Sequence, residues 1–131
     1  MILHLETSTH ICSVALSNQG KLVAIEESYA EQYIHGEQLT LYIQKVLTSA
    51  EITPDQLTAV SVCKGPGSYT GLRIGVSTAK GIAYALEIPL IGINTLQAMA
   101  ASQQVAPGDY VVTVLDARRK EVYTQTFGDS L

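Results

Sequence analysis

Strand-like and helix-like segments alternate along this 131-residue chain, which predicts an α/β fold on a mixed sheet. Three observations carry the prediction. Short runs rich in Val, Ile and Cys occur near residues 1–7, 9–17 and 58–63. Two longer segments, 34–50 and 72–86, repeat apolar residues at helical spacing. Between strand and second helix lies a glycine-rich run, Gly65-Pro66-Gly67-Ser68-Tyr69-Thr70-Gly71-Leu72-Arg73-Ile74-Gly75.

The elements follow in order. Residues 1–7 and 9–17 read as strands, and Asn18-Gln19-Gly20 supplies hairpin chemistry that returns the chain as a third strand over 21–28. In the helix predicted over 34–50, Leu39, Ile43, Val46, Leu47 and Ala50 share one face, while Ile34, Leu41 and Tyr42 fall on another. Thr53 or Asp55 is available as a cap in the connection to the strand at 58–63. The second helix places Leu72, Val76, Ala79, Ala83 and Leu86 on one side and Arg73, Ser77, Lys80 and Tyr84 on the other. Gly71, Gly75, Ala79 and Ala83 recur every four residues, a stripe that permits close approach of another element. Pro89 stops this helix, residues 90–93 make a short strand and 95–103 a short helix. Pro107-Gly108 is the boundary signal, and a strand–turn–strand unit follows over 110–116 and 121–127.

Composition narrows the class. The chain is 47% hydrophobic and 15% charged, enough for one packed core. A formal charge of -4 argues against a surface that holds nucleic acid on its own, and the basic run Arg118-Arg119-Lys120 is too short to reverse this. Cys12 and Cys63 sit in apolar runs and read as buried reduced thiols, which fits a reducing cytosol. No signal peptide or membrane-length apolar run is evident, so a soluble cytoplasmic protein with no membrane partner is expected.

The glycine run is not a Walker A loop, because no Gly-Lys-Ser/Thr closes it. It is either a tight turn that seats the helix on the sheet, or a loop whose backbone meets an anion or partner closely. The structural residues in it are Gly65, Pro66, Gly67, Ser68, Thr70, Gly71, Arg73 and Gly75, with Ser68 and Thr70 as caps for a helix beginning near Gly71. The start of the chain and residues 112–127 repeat one outline: strand, acidic residue, polar turn, strand. An internal duplication that stops after its first hairpin leaves edges and an apolar face exposed, which predicts that the chain is a fragment.

Residues 2–16 with Glu6-Thr7-Ser8-Thr9, the glycine run, and Asp116-Ala117-Arg118-Arg119-Lys120-Glu121-Val122-Tyr123 together resemble the bacterial TsaB (YeaZ) family, once named glycoprotease-like. The resemblance covers essentially the whole chain in order, and the glycine run is its most specific part. It implies an actin-like, ribonuclease H-like ASKHA lobe with a mixed five-stranded sheet and flanking helices, followed by the first hairpin of a second lobe. Residues 1–106 would then be the N-terminal lobe and 107–131 the beginning of a truncated second one. It further implies a role in forming N6-threonylcarbamoyladenosine at position 37 of tRNAs that read codons starting with A. The implied partners are the paralogue TsaD and the ATPase TsaE, with a homodimer in isolation and tRNA met only through the complex.

The resemblance also frames the question of chemistry. The catalytic paralogue's His-x-x-x-His pair falls at Thr95 and Met99, and neither replaces imidazole at a hard or borderline metal. His4, His10 and His35 are too widely spaced for a ligand set, so no metal, catalytic residue or cofactor is expected. An ASKHA fold grips ATP phosphates between two hairpin turns, which here would be formed by Glu6, Thr7, Ser8 and Thr9 and by Asp116. The first turn lacks glycine and Lys120 is bulky in the second, so plain polar turns are the competing reading. The expectation is therefore a non-catalytic subunit that binds its paralogue through paired helices, with Tyr42, Tyr69, Leu72, Val76, Ala79, Lys80 and Ala83 at the contact. Core packing of Val76, Ala79 and Ala83 is the competing explanation. An ATP-dependent transferase or kinase-like enzyme is the alternative class.

Overall fold

A computed structural model describes residues 1–29, 35–104 and 106–128. Strands β1 (Ile2–Glu6), β2 (Ile11–Asn18) and β3 (Lys21–Tyr29) form an antiparallel meander. Helix α1 (His35–Ser49) follows, then a single 3-10 turn (Pro54–Gln56), β4 (Ala59–Cys63), α2 (Tyr69–Leu86), β5 (Leu90–Ile93) and α3 (Thr95–Ala101). The five strands lie in the order β3-β2-β1-β4-β5, with β4 parallel to both β1 and β5. Strands β6 (Val111–Arg118) and β7 (Glu121–Phe127) make a separate antiparallel pair. The predicted mixed five-stranded sheet with flanking helices is present.

Period-two alternation decides which face is covered. Leu3 and Leu5 of β1 share a face with Val14 and Leu16 of β2 and with Val60 and Val62 of β4, and all six are buried. Helix α1 lies over β2 and β3, and α2 over β4. They close the core with Leu39, Val46, Leu47 and Ala79. Burying a side chain the size of Leu39 or Val46 contributes about 1.5–3 kcal/mol relative to leaving it in water. The other sheet face is more polar: His4 Nδ1 lies 2.7 Å from Ser61 Oγ and Nε2 lies 2.7 Å from Ser17 Oγ, so one ring ties three strands together.

Boundaries shift slightly from expectation. Ile34 lies outside the described residues. The second helix begins at Tyr69 rather than near residue 71, because Ser68 is its N-cap and accepts from the Gly71 N–H at 3.3 Å. Thr70 is thus inside the helix and exposed, and does not cap it. Between β2 and β3, Gln19 and Gly20 both take positive φ (49° and 76°), the arrangement a two-residue hairpin turn requires.

Candidate functional site

Two regions hold the residues that the sequence singles out: a cleft between the two hairpin turns, and the outer surface of α2.

The cleft has a volume of about 500 Å³. One wall is the β1–β2 turn with Ser8, Thr9 and His10; another is the start of α2 with Gly67, Ser68, Tyr69 and Thr70; the third is the β6–β7 hairpin with Asp116, Arg118 and Tyr123. The sequence-predicted turns therefore do face one another. The donors of Thr7 and Ser8, however, are already engaged. Thr7, fully buried, donates from Oγ1 to the Gly71 carbonyl at 2.8 Å. Ser8 donates both its N–H and its hydroxyl to the Glu6 carboxylate, and its carbonyl accepts from Ser68 N–H at 2.7 Å. Thr9 Oγ1 accepts from Ile11 N–H at 3.1 Å, and Asp116 Oδ1 accepts from Arg118 N–H at 2.7 Å. The first turn is pressed so close against the glycine loop that a Cβ on Gly67 would collide with the Ser8 carbonyl oxygen. Of the turn's hydroxyls, Thr7 ties it to the helix and Ser8 braces it internally through Glu6, so neither of these two is free to donate to a phosphate without giving up a bond.

Beneath the turn, burial and the neighbouring Glu6 carboxylate push the Cys63 thiol up to about 12. A thiol so far from ionisation is not a nucleophile at neutral pH. Cys12 is raised for the same two reasons, and both cysteines are free and buried. Thr95 and Met99 lie on α3, the first buried and the second partly exposed. No group of three or more His, Cys, Asp or Glu side chains suited to a metal ion occurs among the described residues. A larger groove of about 680 Å³ runs between α3 and β6, but Asp109 is its one charged lining group.

The small-residue stripe on α2 needs correcting. Gly71, Gly75, Ala79 and Ala83 are all buried, with Ala79 at 0% and Ala83 at 7% exposure within the chain itself. They let α2 descend onto β4 and the Thr7 turn, so Ala79 and Ala83 are core residues and cannot meet a partner. Leu72 and Val76 are half-buried at the flank. Tyr42 is also half-buried, donating to Gln38 Oε1 at 2.9 Å beneath the Lys45 ammonium. The surface of α2 that does face outward carries Tyr69 (74% exposed), Arg73, Lys80 and Tyr84 (89% exposed). Arg73 lies over the Tyr69 ring at 5.5 Å. Tyr84 belongs to this surface and stood only as a polar-side residue in the sequence; its four-residue spacing from Lys80 was the available signal.

Both the sequence and the fold have counterparts among known proteins. The family model described as TsaD, tRNA N6-adenosine threonylcarbamoyltransferase, matches residues 29–130. The protein called tRNA threonylcarbamoyladenosine biosynthesis protein TsaB from Haemophilus influenzae is 37% identical over 123 residues, covering 93% of this chain and 51% of the relative. Its namesake from Escherichia coli is also 37% identical, over 93% of this chain and 52% of its own. The solved structure of YeaZ from Pseudomonas aeruginosa superimposes with a TM-score of 0.83 at 30% identity, over 97% of this chain and 58% of that one.

The chain belongs to the TsaB (YeaZ) family. It spans about half the length of the curated relatives it matches. The fold is the mixed five-stranded α/β arrangement that the resemblance implies, and the TsaB relatives are named for tRNA threonylcarbamoyladenosine biosynthesis. Among the described residues, no helix is long and apolar enough to cross a membrane.

Proposed function

We propose that this chain is a non-catalytic lobe that docks onto a TsaD-type paralogue during formation of N6-threonylcarbamoyladenosine at position 37 of tRNA, in the cytoplasm, with a TsaE-type ATPase completing the assembly. Residues 1–106 form its first ASKHA lobe and 107–131 open the second. The observation that carries the reading is the state of the two turns: Thr7 and Ser8, the groups that would have to meet a phosphate, are committed to Gly71, Glu6 and Ser68.

The surface of α2 supports the docking half of the proposal. Large aromatic side chains left in water, with a cation beside them, are the composition of interface anchors. Tyr69 and Tyr84 stand at the two ends of the helix with Lys80 between them. The same face joins two copies when the paralogue is absent.

Co-elution of the full-length protein with its TsaD paralogue on size exclusion tests the proposal. Lys80→Glu and Tyr84→Ala are expected to weaken or abolish co-elution while leaving the fold intact. Calorimetry with Mg-ATP tests the enzyme alternative: micromolar binding lost in Glu6→Ala or Asp116→Ala would replace the scaffold reading with a transferase.

A further inference from the structure

The turn between β6 and β7 is built against backbone preference. Arg118, Arg119 and Lys120 take φ of 66°, 53° and 64°, and Arg119 and Lys120 occupy the two central positions, where Asn-Gly is the low-strain choice. All three side chains are exposed, and among the described residues none is in an ion pair. Three of the eight Lys and Arg residues of a chain with net charge -4 are thus gathered on one strained tip. A tip that keeps three cations where smaller residues fit better is held for what the cations meet.

The tip borders the cleft, where Arg118 and Tyr123 form part of the wall opposite Tyr69. Tyr123 is 43% exposed and Tyr69 74%, and Arg73 covers Tyr69. Aromatic rings beside a run of cations are the composition of a single-strand site: the rings stack bases without regard to sequence, and the cations follow the phosphates. Arg118 brings a guanidinium into the cleft lining beside the Asp116 carboxylate, and Arg119 and Lys120 continue the positive charge along the tip.

We infer that this cleft receives an unpaired stretch of an RNA strand, its phosphates on Arg118, Arg119 and Lys120 and a base stacked on Tyr123. The inference rests on the scaffold reading, in which the chain works beside a tRNA-modifying partner. The overall negative charge keeps the contact weak outside the complex and sensitive to salt.

The test is fluorescence anisotropy of a labelled tRNA anticodon stem-loop, with the full-length protein alone and in complex with its paralogue, across a salt series. Changing Arg118, Arg119 and Lys120 together to Ala is expected to lower affinity about tenfold and to flatten the log–log salt slope by about 2. Tyr123→Ala should cost roughly tenfold with the salt slope unchanged. The pair Arg119→Asn, Lys120→Gly should raise the melting temperature while weakening RNA binding, which separates loss of contact from loss of fold. RNA binding that is absent, or indifferent to these changes in both settings, overturns the inference, and so does full displacement of the RNA by an equal concentration of AMP. Intact pairing with the paralogue in that case leaves the scaffold reading standing. Failure of the wild-type protein to pair removes the scaffold reading whatever the RNA does.

Discussion

Gly75 and Thr7 are fitted to each other across 68 positions of sequence: a Cβ on residue 75 would collide with Thr7 Oγ1, which donates to the Gly71 carbonyl one turn earlier in the same helix. The contact fixes how far α2 descends onto the sheet, and hence where Ser68 and Tyr69 stand at the mouth of the cleft.

The first prediction tests this fit. Gly75→Ala forces α2 or the turn to move, and overpacking of this kind costs about 1–3 kcal/mol. Urea unfolding should show a lower midpoint. In a Thr7→Ala background the same substitution should cost less, because the hydroxyl it strikes is gone; equal costs in the two backgrounds would remove the Thr7–Gly75 contact as the cause.

The second prediction separates the two sides of α2. Ala79→Arg places a charge in a fully buried position and should destabilise the protein by several kcal/mol, with loss of soluble yield. Lys80→Glu, one residue away on the exposed side, should change stability by less than about 0.5 kcal/mol. Thermal melts of the two variants decide it, and comparable melts would mean that the helix is rotated from the position described.

How far the sequence reached follows from these residues. The sequence marked residues 1–7 and 9–17 as strands, but that Leu3, Leu5, Val14 and Leu16 share the covered face follows from the pairing register; the Gln19-Gly20 turn closed the β2–β3 hairpin as its chemistry required. The four-residue stripe was visible too, but periodicity assigns residues to a side of a helix without saying what lies there. Only the long-range contact with Thr7 reveals that the stripe faces the sheet. The turns were similarly half-legible: Thr7 and Ser8 announce hydroxyl donors and Glu6 stands beside them, yet the contacts that seat the turn depend on Gly71 and Ser68 arriving from the distant helix start. The short 3-10 turn at Pro54–Gln56 has too few residues to give a periodic signal.

The third prediction concerns His4. Burial holds its pKa below the ordinary 6.5, since the charged ring is poorly solvated beside Ser17 and Ser61. The unfolded chain therefore binds the proton more readily than the folded one. Stability from this residue is fully present above pH 6.5 and is lost progressively as the pH falls towards the lower folded value. Urea midpoints should decline from neutral to mildly acidic pH in the wild type and decline less in His4→Gln. Parallel curves for the two proteins would assign the acid sensitivity to other groups.

The fourth prediction uses Cys63 and Cys12 as reporters of the packed state. Both thiols are buried and both are held above their ordinary range, Cys63 to about 12 by burial and the Glu6 charge. Thiolate is the reacting species, so a disulfide reagent at pH 8 finds almost none of it at Cys63 in the folded chain. Neither cysteine should react on the timescale of minutes until the protein unfolds, after which both should react together. Glu6→Gln removes the nearby negative charge and should lower the Cys63 thiol, but burial, the larger cause, remains; the native protein should still resist labelling. Rapid native labelling of Cys63 in the wild type would show that the sheet face beneath the β1–β2 turn opens readily. The turn could then no longer be the rigid element on which the scaffold reading depends.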